Sequence, residues 1–379
     1  MYSYFKTSIP RLFQQSVLLR SSSSSKALNA HPNLGIQDHA LPAKSSSAVN
    51  EAILSIFQDI NLNILAYGPA EAVEVNNVAK HYFNSQGKNI RPNMTLLMAK
   101  AVNSHLGLDL DFNVYSQQMK VAEVAEMYHT ASLMHDDVLD HAEVRRGRPS
   151  VNSLWGELSS IRGGNFAVGL ASSEVAKLKN DEVLYCMSKI LESLVIGELQ
   201  QMSASHKGNN SDARFQRYLA KTFNKTASLM AYSCQSAAIL AECKAGQDRQ
   251  LSTMAYNYGK DMGIAFQLMD DWLDFVVDAE QLGKPSSADL KLGLATAPVL
   301  FACEEHPEAM GPLIERKFSG PNDVEKALKI VMKSNGLNKT KALAENFCQS
   351  AILSISSMRY SQAKSDLEDM LKFVLCRMR

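Results

Sequence analysis

The sequence predicts an all-α protein, a bundle of helices around a cavity lined by facing helices. From residue 48 onward, apolar residues recur at intervals of three and four, the spacing that collects them on one helical face. No proline occurs between Pro149 and Pro285, which leaves room for several long helices. Apolar/polar alternation of strand length is scarce. Helices with one apolar face and no sheet to cover must bury that face against one another.

The first 47 residues stand apart. Residues 1–37 hold no Asp or Glu but carry Lys6, Arg11, Arg20, Lys26 and a run of five serines at 21–25. Basic, Ser-rich and acid-poor is the composition of a mitochondrial transit peptide. Pro32, Pro42 and the serines at 45–47 make the following stretch a linker. The expected organisation is therefore a transit peptide and linker over 1–47 and a helical domain over 48–379. Within that domain the spacing predicts helices over 48–66, 73–84 and 92–106. The run 115–146, free of Gly and Pro, reads as one helix. Further helices are expected over 165–179, 181–205, 213–245 and 247–279. Shorter ones follow residue 296, separated by Pro307, Gly311, Pro321 and Gly336.

With 379 residues, 46% of them hydrophobic, the chain has ample material for a core. Its 39 acidic and 39 basic side chains balance, which gives no reason to expect a nucleic-acid partner. No run reaches the ~18 apolar residues of a membrane span. The six cysteines form no C-x-x-C pair, and they read as reduced, structural residues of an intracellular protein.

The chemistry centres on Asp136, Asp137 and Asp140, a D-D-x-x-D pattern inside the 115–146 run. On a helix Asp136 and Asp140 share a face and Asp137 flanks them. Like charges so close repel, and burying them is costly without a counter-charge. One such pattern reads equally well as a solvated acidic face. The spacing recurs, however, at Asp270, Asp271 and Asp274. Two carboxylate clusters on two helices can face each other across a cavity and hold Mg²⁺, which is typically shared between a few carboxylates and substrate phosphates. An EF-hand is excluded because its sixth position, which requires Gly, is His141.

Basic groups accompany both clusters. Arg145, Arg146 and Arg148 present planar forks suited to phosphate. The alternative, a basic helix end offsetting the macrodipole, needs one arginine rather than three. Lys88 and Arg91 precede Pro92, an arrangement for an anion site at a helix N-terminus. His129 lies two turns before Asp136 on the same face. Lys225 and Thr226 sit in KTFNKTASL, and Gln267 lies one turn before Asp270. Lys284 and Lys291 follow the second cluster in a loop that could close over a phosphate.

The motifs GKNIRP, HTASLMHDDVLD, RRGRPSVN, GELQQ, KTASL, GIAFQLMDDWLDF and ADLKLGLATAP, in this order, resemble those of the trans-isoprenyl diphosphate synthases. Within that family the likeness is to the mitochondrial long-chain polyprenyl synthases that make the ubiquinone side chain. The resemblance implies an isoprenoid-synthase-type helical bundle with a central substrate cavity. It implies that Lys88, Arg91, His129 and Arg146 hold isopentenyl diphosphate. Asp136, Asp140 and Asp270, supported by Asp137, Asp271 and Asp274, would bind Mg²⁺ and through it an allylic diphosphate, farnesyl or geranylgeranyl. Arg145, Lys225, Thr226, Gln267 and Lys284 would contact that diphosphate directly. It further implies a homodimer or a heteromer with a second synthase subunit, in the mitochondrial matrix, with peripheral contact with the inner membrane.

Product length is expected to be read on the helix ending in the first cluster. In the family a bulky residue five positions before the first Asp acts as a floor; Ala131 leaves that floor open, and Ser132 beside it is small. Tyr128, a turn further, either narrows the tunnel or packs sideways into the core with its hydroxyl satisfied. Asn165, Trp272 and Tyr128 depart from the family pattern. Three alternatives remain: a shorter-chain synthase, a terpene synthase that ionises an allylic diphosphate without elongating it, and a silent partner subunit. The Lys88, Arg91, His129 and Arg146 set argues against the second, and the six aspartates against the third.

Overall fold

The computed structural model describes residues 78, 81, 89–145, 147–202, 211–281 and 287–376. The expected transit peptide, the expected helix over 48–66 and the side chains of Lys88, Arg146 and Lys284 lie outside the described residues, as does the boundary at residue 47. The expected all-α architecture is observed. The helices are α1 (Ile90–Leu106), α2 (Phe112–Leu139), α3 (Val151–Ala176), α4 (Asp181–Met202), α5 (Ser211–Thr222), α6 (Ser228–Ala245) and α7 (Gln250–Gln281). After them come α8 (Ala288–Lys291), α9 (Ala297–Glu305), α10 (Pro307–Glu315), α11 (Asp323–Lys333), α12 (Gly336–Ser354) and α13 (Gln362–Cys376).

Two apolar clusters hold the bundle together. One is formed by α2, α3 and α4 against Leu96 of α1 and Leu229, Ile239 and Leu240 of α6. The other joins α1, α5, α6 and α7 to the C-terminal helices through Met94, Tyr258, Phe275, Phe301 and Phe347. Helix α6 is buried all round, since most of its residues from Ser228 to Glu242 are inaccessible. It therefore serves as the wall between the two halves of the core.

Three helices differ from the sequence expectation. The run 115–146 is not one helix: α2 ends at Leu139, with Asp140 as its cap. His141 turns the chain in the left-handed region (φ 49°), and the Ala142 N–H returns to the Asp137 carbonyl at 2.9 Å. β1 (Val144–Arg145) and β2 (Arg148–Pro149) then pair as a two-stranded antiparallel ribbon, with Gly147 at φ 73° before the second strand. Arg145 and Arg148 thus lie in the ribbon, beyond the end of α2. Helix α3 begins at Val151 rather than 165: Ser150 caps it by accepting the Ser153 N–H at 2.9 Å, and Gly156 (φ 81°, ψ 168°) kinks it. The expected helix 213–245 is interrupted by one π turn, Phe223–Ala227, between α5 and α6.

Among the described residues no helix is long and apolar enough to cross a membrane. All six cysteines are free; Cys186, Cys234, Cys303 and Cys348 are buried, and Cys243 and Cys376 are exposed.

Candidate active site

The first aspartate cluster occupies the last turn of α2, and its three members have different surroundings. Asp137 is fully buried and accepts from Arg145 Nε at 2.7 Å and Nη2 at 2.6 Å. A fully buried carboxylate needs such a partner. Arg145 thus holds Asp137 directly, and through it the ribbon is pinned to the end of α2. Asp136 is half-buried and Asp140 stands exposed at the helix end. Burial pushes the Asp136 carboxyl up to about 7; Lys225 opposes this, Glu198 and Asp140 add to it, and Arg145 opposes it again. Desolvation and the two neighbouring carboxylates thus outweigh the two cations at Asp136.

The second cluster lies on α7. Asp271 is buried and accepts from the Tyr218 hydroxyl at 2.6 Å and from Gln267 Nε2 at 2.8 Å. Burial raises it to about 6 against these hydrogen bonds. Gln267 in turn accepts from the Thr226 hydroxyl at 2.9 Å. Thr226, Gln267, Asp271 and Tyr218 thus form one hydrogen-bonded chain across α5, the π turn and α7. Asp274 accepts the backbone N–H groups of Ala288 and Asp289, both at 3.2 Å, and so fastens α8 to α7. Asp289, held there, has its carboxyl pushed up to about 7 by burial and by the charges of Asp271 and Asp274. Asp270 is half-buried beside them.

Lys225 projects from the π turn, a feature often found at functional sites because it re-aims side chains out of helical register. Its ammonium pairs with Glu198 and reaches Gln201 Oε1 at 3.1 Å. Asn224 beside it donates to Gln200 Oε1 at 3.0 Å. This approach of α4 depends on Gly197: a Cβ there would stand 2.6 Å from Lys225 Cγ and 3.1 Å from its backbone nitrogen. On the other side Gly263 lets α7 reach the turn, since its Cβ would lie 2.5 Å from Ala227 Cα.

A second basic locus forms at the N-terminus of α1. Arg91 Nη1 lies 3.1 Å from His129 Nε2, and its guanidinium stands 5.8 Å from the centre of the Phe266 ring. Two of the four residues expected to hold isopentenyl diphosphate are thus together, next to the residue preceding Gln267. On the opposite side of α2, Tyr128 and Ala131 belong to the α2–α3–α4 cluster. The Tyr128 hydroxyl lies 3.3 Å from Ser172 Oγ on α3, and Ser132 Oγ donates to the His129 carbonyl at 2.8 Å. Tyr128 therefore packs sideways with its hydroxyl satisfied.

A cavity of about 610 Å³ opens among these elements. Asp140, Glu198 and Gln201 line one side; Tyr218, Lys221, Leu294 and Lys317 line the other. Glu198, Gln201, Tyr218, Lys221, Phe266 and Asp289 were not singled out from the sequence. Glu198 and Gln201, inside GELQQ, Lys221, the first residue of KTFNKTASL, Phe266, inside GIAFQLMDDWLDF, and Asp289, inside ADLKLG, carried a signal; Tyr218 carried none. Among the described residues no three acidic, His or Cys side chains converge on one point as a closed metal cage. The donor set still fits Mg²⁺, which is commonly held by one or two carboxylates and completed by phosphate oxygens. Burial, with Glu198 and Asp140, raises the Asp136 carboxyl, and a cation bound beside it would favour its ionised form.

A profile of the polyprenyl synthetase family matches residues 72–331. The chain is 42% identical to an all-trans-polyprenyl-diphosphate synthase of Homo sapiens over 322 residues, 85% of this chain and 74% of that protein. It is 36% identical to a probable mitochondrial hexaprenyl pyrophosphate synthase of Yarrowia lipolytica, over 78% of this chain and 77% of that one. A solved polyprenyl synthase from Caulobacter crescentus, complexed with calcium and isoprenyl diphosphate, superposes with a TM-score of 0.71 at 27% identity, covering 90% of this chain and 99% of that one.

Proposed function

The chain belongs to the polyprenyl synthetase family, and from that premise we propose that it is a Mg²⁺-dependent trans-prenyltransferase of the mitochondrial matrix. It joins successive isopentenyl diphosphates to an allylic diphosphate, farnesyl or geranylgeranyl, and makes a long all-trans polyprenyl diphosphate for ubiquinone. The observation that carries this reading is the pair of aspartate clusters, one at the end of α2 and one within α7, with the Lys225 turn between them.

The residues divide the work. Lys225 supplies a cation where the C1–O bond of the allylic substrate breaks and its electrons leave with pyrophosphate. Mg²⁺ held by Asp136, Asp140 and Asp270 would neutralise that leaving group. Arg91 and His129, with Lys88 and Arg146, hold isopentenyl diphosphate so that its double bond attacks C1; a proton then passes to the departing pyrophosphate. Thr226, Gln267 and Tyr218 orient Asp271, and Asp274 fastens α8 beside the site. Arg145 pairs with Asp137 and so holds the end of α2 in place. Ala131 is small and packed in the α2–α3–α4 cluster, so a chain growing along α2 would meet no bulky floor at that position, which favours a long product.

The exposed apolar side chains Leu158 on α3 and Val195, Leu199 and Met202 on α4 support a subunit interface, with a second copy or a second synthase subunit. Contact with the inner membrane is peripheral, at delivery of the apolar product, and nucleic acid has no part. Incubation with labelled isopentenyl diphosphate, farnesyl or geranylgeranyl diphosphate and Mg²⁺, followed by product sizing, tests the reading. Long polyprenyl products are expected; release of pyrophosphate without elongation would mark an ionising synthase instead.

A further inference from the structure

Helix α5 presents to the cavity a face that the family reading leaves without a role. Lys221 stands on it one turn before Lys225 and lines the same cavity as Asp140 and Glu198. Its ammonium is 5.8 Å from the centre of the Tyr218 ring, whose hydroxyl holds Asp271. Lys221 makes no hydrogen bond or ion pair with another described residue. Its charge is felt by Asp271 and Asp289 on one side and by Lys225 and Glu198 on the other. It therefore sits between the two halves of the site. Burial holds its ammonium below the usual lysine range, with Asp271 and Asp289 opposing. Lys221 is half-buried, and an ammonium drawn partly out of water with no direct partner carries a cost. The cost is offset when an anion enters the cavity.

We propose that Lys221 donates directly to the diphosphate of the allylic substrate, as a second cation beside Lys225. The assignment rests on the prenyltransferase reading above. A compact ammonium with three donors can follow the non-bridging oxygens as the leaving group departs. Its place on α5 sets it on the α7–α8 side of the diphosphate, where Asp271 and Asp289 would otherwise repel the incoming charge. Arg214 and Arg217 line the same cavity and add positive charge that would draw the substrate inward.

Calorimetric titration of the full-length protein with inorganic pyrophosphate in the presence of Mg²⁺ provides the test. It is run beside steady-state kinetics and thermal melts of the parent, Lys221→Gln and Lys221→Arg. Lys221→Gln should weaken pyrophosphate binding roughly tenfold or more, with a matching loss in kcat/KM for the allylic substrate, while the KM for isopentenyl diphosphate stays within about twofold. Lys221→Arg should recover most of the affinity. Pyrophosphate affinity in Lys221→Gln equal to the parent's would overturn the assignment. So would an equal loss for both substrates accompanied by a lower melting temperature, which identifies Lys221 as a structural counter-charge to Asp271 and Asp289. A parent that neither binds pyrophosphate nor elongates would bring down the prenyltransferase reading as well, which separates the two failures.

Discussion

Asp136 and Asp289 hold carboxyls at about 7 and Asp271 one at about 6, against an ordinary value of 3.8, and in each the main cause is burial. A folded-state value raised above the unfolded one means that folding takes up protons. In the metal-free protein the contribution of these three groups should therefore be complete below about pH 4, be lost as pH rises through 6 to 7, and level off beyond, while the lowered carboxyl of Asp323 works in the opposite sense in acid. Thermal melts without divalent cation over this range check the sign, and Asp136→Asn should flatten the upper part of the curve. Binding of Mg²⁺ and pyrophosphate should run the other way. It needs the carboxylates ionised, so it should tighten as pH rises through 7 and release protons; titrations in buffers of different ionisation enthalpy count them. Gln267 is a second sensitive point, because it bridges Thr226 and Asp271. Gln267→Leu leaves a buried carboxylate short of a donor and should cost about 1–3 kcal/mol of stability together with a fall in kcat. A melting curve and kcat both matching the parent's would show that the hydrogen-bonded chain does not position Asp271.

The π turn and its glycine neighbours place Lys225, and Gly197→Ala should displace it. The expected outcome is a kcat loss larger than the loss of stability explains, because Lys225 moves while the core stays packed. Helix α2 carries the other prediction. Ala131→Phe adds a ring at a fully buried position about 7.5 Å along the helix from Asp136, at ~1.5 Å per residue, and should give short products. Tyr128→Ala should leave product length almost unchanged, since the ring is turned towards Ser172. Sizing the products of both variants decides: the same length in Ala131→Phe and the parent would mean that the chain does not run along α2.

The long helices and both aspartate clusters were legible in the sequence, because apolar spacing and a doubled motif are local signals. The end of α2 was not. Nothing from Asp140 to Arg145 is a Gly or Pro, and the helix stops because His141 accepts a left-handed conformation and Arg145 turns back to pair with Asp137. The start of α3 was masked by the glycine at 156, which kinks the helix without ending it. The π turn was invisible because FNKTA is ordinary helical sequence; only the tight contacts at Gly197 and Gly263 reveal why the extra residue is accommodated there. Tyr218, Lys221 and Phe266 reach the site through tertiary packing, which spacing along the chain does not report.

Across the whole molecule, the site joins parts of the chain far apart in sequence, so the account stands or falls on the two clusters acting together. Asp136 on α2 and Asp270 on α7 stand on helices that pack mainly into different apolar clusters. The most direct measurement is the elongation rate of Asp136→Ala and Asp270→Ala at saturating Mg²⁺, with melting curves to confirm the fold. Each variant should lose ~10³-fold or more in kcat, about 4 kcal/mol of transition-state stabilisation, with the bundle intact. A near-normal rate in either variant would contradict the reading that the two clusters share one diphosphate.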